Sequence, residues 1–211
     1  MIEKPNITLA IESAINGGSL SLLRGNSEIT GWVGSASLSR AEDLLPNIDR
    51  LLRENEIATR DIDLIAVSAG PGSFTGIRIG IATAMGLKAG LGIRMASVSA
   101  LDAVATQFGH KHDHAMVAVP VGRDAVCVQR YEKNPEPDAS TEPANIRQSE
   151  LSTIARHERE LIVLAHSSIV EILADAGNFV DVGANIARYV GLACIANAEN
   201  TTPPMFIGKS F

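Results

Sequence analysis

The first residues with the means to do chemistry are Glu12 and Ser13, which follow the apolar run Ile7–Ile11. A carboxylate beside a hydroxyl at the end of a buried strand can hold a metal–nucleotide, or it can cap the turn that follows. A second candidate is the loop Ser68-Ala69-Gly70-Pro71-Gly72-Ser73. Backbone N–H groups where a loop opens into a helix attract phosphate. No Gly-Lys-Ser/Thr follows, so this is not a Walker A loop, and a tight strand-to-helix turn explains the same residues. A third candidate is Gly109-His110-Lys111-His112-Asp113-His114. In an extended chain its three imidazoles share one side and could bind zinc; as a polar loop they are simply solvated.

These groups need elements to position them. Leu64–Val67 reads as a buried strand before the glycine loop, and Thr75–Leu91 as a long helix after it, capped by Ser73 or Thr75. Arg78 and Lys88 are the only charges in that helix. At helical spacing Gly76, Gly80, Ala84 and Leu87 share one face, with Ile77 and Leu91 beside them. Ile79, Ala82, Met85, Gly86 and Ala89 share the opposite face. A helix apolar all round is buried on both sides. Each of its glycines weakens an isolated helix by roughly 1 kcal/mol relative to Ala, so close approach of another backbone is expected to compensate. One face packs on the chain's own sheet and the other meets a second element, from this chain or another. Periodicity alone does not say which face is which.

Upstream, Ile7–Ile11, Ser19–Leu23 and Ile29–Val33, separated by Gly17-Gly18 and Gly25-Asn26, read as an antiparallel meander. Ser39-Arg40-Ala41-Glu42 is a capping box. The helix it opens carries the stripe Leu44, Leu45, Ile48, Leu51 and Leu52, with an expected kink at Pro46. After Gly92, Ile93–Val98 is a strand, and Ser99 caps a further helix. Residues 1–105 therefore read β-β-β-α-β-α-β-α, a mixed sheet with helices. Residues 106–211 read as a smaller α/β subdomain. It holds a hairpin (Ala115–Val121 with Ala125–Tyr131), a proline- and acid-rich loop over 133–143, and a strand at Leu161–Ala165. A short helix from Ser167 or Ser168, a final helix over Asn185–Ala196 and an extended tail, Thr201–Ile207, complete it.

Bulk properties narrow the class. The 211 residues suffice for one large domain or two small ones, and a core with 4% aromatics is aliphatic. A net charge of −6 argues against gripping nucleic acid unaided. Cys127 and Cys194 lack metal spacing and suit a reducing cytosol. No signal peptide and no membrane span is visible, so a cytoplasmic protein is expected.

The run Gly70 to Leu87 (GPGSFTGIRIGIATAMGL) closely resembles the signature of the TsaB (YeaZ) family, the dimerisation subunit of the bacterial tRNA threonylcarbamoyladenosine complex. Ile11-Glu12-Ser13, Leu44-Leu45-Pro46, Ser97-Val98-Ser99-Ala100-Leu101 and Pro204-Met205-Phe206-Ile207 stand where the family has related motifs. Three departures mark a divergent member. Arg40 stands about where a histidine is common, Pro120–Ala125 replaces a more charged segment, and Glu12 replaces a shorter aspartate.

The resemblance implies an actin/Hsp70/sugar-kinase-like (ASKHA) α/β fold in two subdomains with mixed sheets. It implies a non-catalytic scaffold that is not itself an enzyme. That scaffold supports transfer of a threonylcarbamoyl group, by a metal-dependent catalytic paralogue, to the adenosine next to the tRNA anticodon. Expected partners are that TsaD-type paralogue, a small P-loop ATPase of the TsaE type, a second copy when alone, and tRNA only through the complex. No catalytic residue, cofactor or metal is expected. The expected partner interface lies in the first subdomain, on Gly76, Ile77, Gly80, Ala84, Leu87, Leu44 and Ile48. Competing expectations are an ATP-dependent phosphotransferase or peptidase-like enzyme with Glu12 and Ser13 at metal–nucleotide, and a zinc module at His110, His112 and His114.

Overall fold

The computed structural model describes residues 6–35, 40–134 and 136–197. The capping box that begins at Ser39, the side chain of Arg40 and the tail Thr201–Ile207 lie outside the described residues. In chain order come β1 (Ile7–Glu12), β2 (Ser19–Arg24), β3 (Ser27–Val33), α1 (Arg40–Glu54), β4 (Leu64–Ser68), α2 (Phe74–Leu91), β5 (Arg94–Val98) and α3 (Ala100–Phe108). They are followed by β6 (His114–Pro120), β7 (Ala125–Asn134), β8 (Glu136–Ala139), β9 (Ala144–Arg147) and α4 (Gln148–His157). β10 (Ile162–Ala165), a 3-10 helix (Ser167–Leu173), β11 (Phe179–Asp181) and α5 (Ile186–Ala196) complete the order.

These elements form two units. The first takes the chain up to Ala100 and adds α5; the second is Leu101–Ala184. The division falls between Ala100 and Leu101, and α5 lies in the first unit, whereas the sequence reading puts the boundary near residue 105 and the final helix in the second part.

The first unit is a five-stranded sheet in the order β3-β2-β1-β4-β5. The meander pairs antiparallel, with Ile11 opposite Leu20, while β1, β4 and β5 are parallel, with Leu9 beside Ile65. Strand alternation sorts the side chains. Leu9, Ile11, Ile65 and Val67 join Leu44, Ile48, Leu51 and Leu52 of α1 and Ala84 of α2 in one aliphatic core. Each such side chain contributes about 1.5–3 kcal/mol when fully buried. On the other face α5 closes the sheet. A Cβ at Gly191 would press on Leu23 and on Ala10, 3.0 Å away, so glycine there lets the helix lie against β1 and β2. The start of α5 is tied down by Ala187 N–H donating to Ser19 Oγ (3.0 Å) and Asn185 Nδ2 donating to Glu28 Oε1 (2.9 Å).

The second unit is a six-stranded sheet, β11-β10-β6-β7-β8, with β9 also on β7. Its core joins Met116, Val126, Val163 and Ala165 to Leu151 and Ala155 of α4 and to Ile169 and Leu173 of the 3-10 helix. The tract expected to be a loop over 133–143 includes β8, antiparallel to the end of β7.

Candidate functional site

The site begins at the turn after β1. Glu12 is 1% exposed, and its Oε1 accepts from the N–H groups of Ala14 and Ile15, the latter at 3.0 Å. Ser13 Oγ donates to the Gly76 carbonyl at 2.8 Å, and Ser73 N–H donates to the Ala14 carbonyl at 2.9 Å. The carboxylate oxygen is therefore spent on its own turn, and the hydroxyl on α2. This arrangement matches the turn-capping alternative for Glu12 and Ser13.

The glycine loop is bound into the same junction. Ala100 N–H donates to the Gly70 carbonyl at 2.7 Å, and a Cβ at Gly72 would overlap Ala14. Ser73 caps α2, its Oγ accepting from Gly76 N–H at 3.3 Å. Gly92 ends the helix in the left-handed region at φ 67°, its N–H donating to the Lys88 carbonyl at 2.9 Å. The loop works as a strand-to-helix turn packed on the end of β1.

The two faces of α2 are distinct in the structure. Gly76, Ile77, Gly80 and Ala84 are buried, and Leu44 and Ile48 of α1 are 4% exposed and in the core. A Cβ at Gly76 would overlap the Ser13 carbonyl oxygen, and one at Gly80 would overlap Ser13 Oγ. The close backbone approach inferred from the small residues is real, but the neighbour is the end of β1 in the same chain. Of the seven residues expected at a partner interface, only Leu87 is partly exposed, and the other six face inward.

The outward face carries Phe74, Arg78, Ala82, Met85 and Ala89, all exposed. Phe74 is 50% and Met85 58% exposed, and Leu45 of α1 is 54% exposed. The Arg78 guanidinium stacks 3.9 Å over the Phe74 ring. Beside the C-terminal half of α2, Met85, Ala89, Ile93 and Met95 line an apolar groove of about 680 Å³.

The remaining candidates are dispersed. His110 lies in a 3-10 turn, Gly109–Lys111, and His114 begins β6, so the chain is not extended through all three imidazoles. Among the described residues no group of three or more His, Cys, Asp or Glu could hold a metal ion. Burial pushes the Cys127 and Cys194 thiols up to about 12, so neither is a nucleophile at neutral pH.

Sequence reasoning missed His166. It is 3% exposed, and its Nδ1 accepts from Ser168 N–H at 3.1 Å, capping the 3-10 helix. Burial pushes its pKa below the ordinary histidine value, with contact to the Ala184 backbone and the charge of Asp181 opposing. A histidine is an unusual cap residue, so its sequence position carried no signal.

The three-strand meander, the parallel strands β4 and β5, the helices between them and the second mixed sheet define the α/β architecture of the actin, Hsp70 and sugar-kinase superfamily. A solved structure of YeaZ from Pseudomonas aeruginosa is similar over 96% of this chain and 100% of that one, with a TM-score of 0.66 at 20% identity. A family model described as TsaD, tRNA N6-adenosine threonylcarbamoyltransferase, matches residues 35–194. The chain belongs to the family that this model describes. A tRNA threonylcarbamoyladenosine biosynthesis protein TsaB from Buchnera aphidicola subsp. Baizongia pistaciae is 35% identical over 94 residues, 43% of this chain and 42% of the relative. The TsaB of Bacillus subtilis is 31% identical over 102 residues, 48% of this chain and 44% of the relative. The chain thus spans less than half the length of these two curated relatives.

Proposed function

We propose that the chain is a non-catalytic partner subunit in the synthesis of threonylcarbamoyladenosine on tRNA, and that it docks a TsaD-type catalytic paralogue through the outward face of α2. The observation that carries this reading is the division of labour on that helix. Its small-residue face is used up against Ser13, yet its opposite face exposes Phe74, Ala82, Met85 and Ala89 beside an apolar groove. Exposed aromatic and methionine side chains around a stacked arginine suit a protein interface. The relatives' names supply the pathway. Glu12 and Ser13, both engaged internally, favour a supporting role over phosphotransfer.

In this proposal a TsaE-type ATPase joins the same complex, a second copy covers α2 when the paralogue is absent, and tRNA is held by the assembly. The net charge of −6 agrees with the last point. No helix among the described residues is long and apolar enough to cross a membrane.

Reconstitution tests the proposal. Catalytic paralogue, ATPase, adenylate synthase and tRNA are combined with threonine, bicarbonate and ATP, with and without this chain, and modified nucleoside is quantified. Product that forms only with the chain present is expected, with none from the chain alone. Equal product without it overturns the reading.

A further inference from the structure

In the second unit, three oxygens stand in a row with too few obvious protons between them. Tyr131 Oη lies 2.7 Å from Asp102 Oδ1 and 2.8 Å from Gln129 Oε1. Both separations are hydrogen-bond lengths, so each needs a proton. The phenol has one. Gln129 cannot supply the other, because its Nε2 donates to the Thr141 carbonyl at 3.0 Å, and a backbone carbonyl only accepts. Turning the amide over would set two acceptor oxygens against each other. Thr141 is itself fixed on β7, since its Oγ1 accepts from Arg130 N–H at 3.1 Å.

We infer that Asp102 is a neutral carboxylic acid in the folded protein. It donates to Tyr131 Oη, which donates to Gln129 Oε1, whose amide donates to the Thr141 carbonyl. The row then runs in one direction from α3, through two residues of β7, to the segment between β8 and β9. Tyr131 is 3% and Gln129 7% exposed, so water has little access to the middle of the row, while Asp102 at one end is partly exposed and Thr141 at the other is exposed.

The surroundings agree. Burial raises the Asp102 pKa, and the Tyr131 hydroxyl is the opposing influence. Tyr131 is the titratable group facing Asp102 from β7, with Cys127 acting on Tyr131 from the same strand. Burial raises both of these as well, Cys127 to about 12, so neither ionises first. The acid is therefore a proton-dependent latch between α3 and β7. Because its pKa is raised on folding, the latch is complete in acid. It is lost as pH climbs through the folded-state titration of Asp102, when one proton leaves the row.

The experiment is a carbon-detected NMR titration of the full chain labelled at aspartate carboxyl carbons, with Asp102→Asn assigning the signal. The Asp102 carbon is expected to keep its protonated shift where the exposed aspartates have already ionised. Movement in step with them overturns the inference. Tyr131→Phe gives an independent reading by sign. If neutral Asp102 donates to the phenol, deleting that oxygen removes an acceptor from the acid form and moves its titration downward. If ionised Asp102 instead accepts from the phenol, the same variant moves its titration upward, and the inference falls.

Discussion

Ser13 decides what can stand opposite it. Gly76→Ala adds a helix-favouring methyl, worth up to roughly 1 kcal/mol in an open site. Here that methyl overlaps the Ser13 carbonyl, a backbone atom that cannot swing away. The overlap dominates, and denaturant unfolding should show a net loss of about 1–3 kcal/mol. Gly86 and Gly90 have nothing within 4 Å of an added Cβ, so Gly86→Ala and Gly90→Ala should each gain up to about 1 kcal/mol in the same assay. His166 supplies a different test. Its folded pKa is lowered, so its contribution is complete above the unfolded histidine value of about 6.5 and is lost as pH falls from there toward the folded value. Stability measured across that range should drop in acid. His166→Asn keeps an acceptor for Ser168 N–H but cannot titrate, and it should flatten that part of the profile.

At the scale of the element, α2 is a helix whose two sides answer to different neighbours. Phe74→Ala or Met85→Asp should leave unfolding unchanged within about 0.5 kcal/mol, since both side chains are half exposed or more. Either should weaken co-purification with the catalytic paralogue, by about 1–3 kcal/mol in a calorimetric titration if the residue is central to the contact. A loss of fold instead would assign these residues to packing. The helix itself was legible in the sequence because a long apolar run carries only Arg78 and Lys88 between its caps. Its orientation was not, because glycines spaced by four read alike whether the approaching backbone is Ser13 or another chain. The same limit explains what else escaped. α4 has only Leu151, Ile154 and Ala155 for an apolar face, and Arg147, at its cap position, makes no side-chain cap bond. β11 is three residues long. β8 is a proline-containing edge strand whose pairing depends on β7, far more than on its own residues. The strands of the first sheet were legible because burial is nearly complete along β1, β2 and β4.

At the scale of the whole molecule, the second unit is a continuous stretch of chain set between two parts of the first. A fragment from Ser99 to Ala184 carries its own core and should fold alone, giving dispersed amide signals by NMR. A fragment ending at Ala100 has the complete five-stranded sheet but lacks α5, leaving Ala10 and Leu23 uncovered. It should be aggregation-prone or molten, and a variant chain joining Ala100 to Asn185 by a short flexible linker should restore cooperative unfolding. If the shorter fragment folds unaided, α5 is an accessory to the sheet.

That return of the last helix has a consequence for synthesis on the ribosome. β1 and β2 leave the exit tunnel first, but the helix that covers one face of their sheet follows only after the whole second unit has been made. At about 5–20 residues per second, that face waits on the order of ten seconds or longer for its cover. During this interval the second unit can fold independently while the older, N-terminal sheet stays incomplete. Birth order and maturation order are thus reversed, and a nascent-chain chaperone would find its substrate in the part of the protein that was made first.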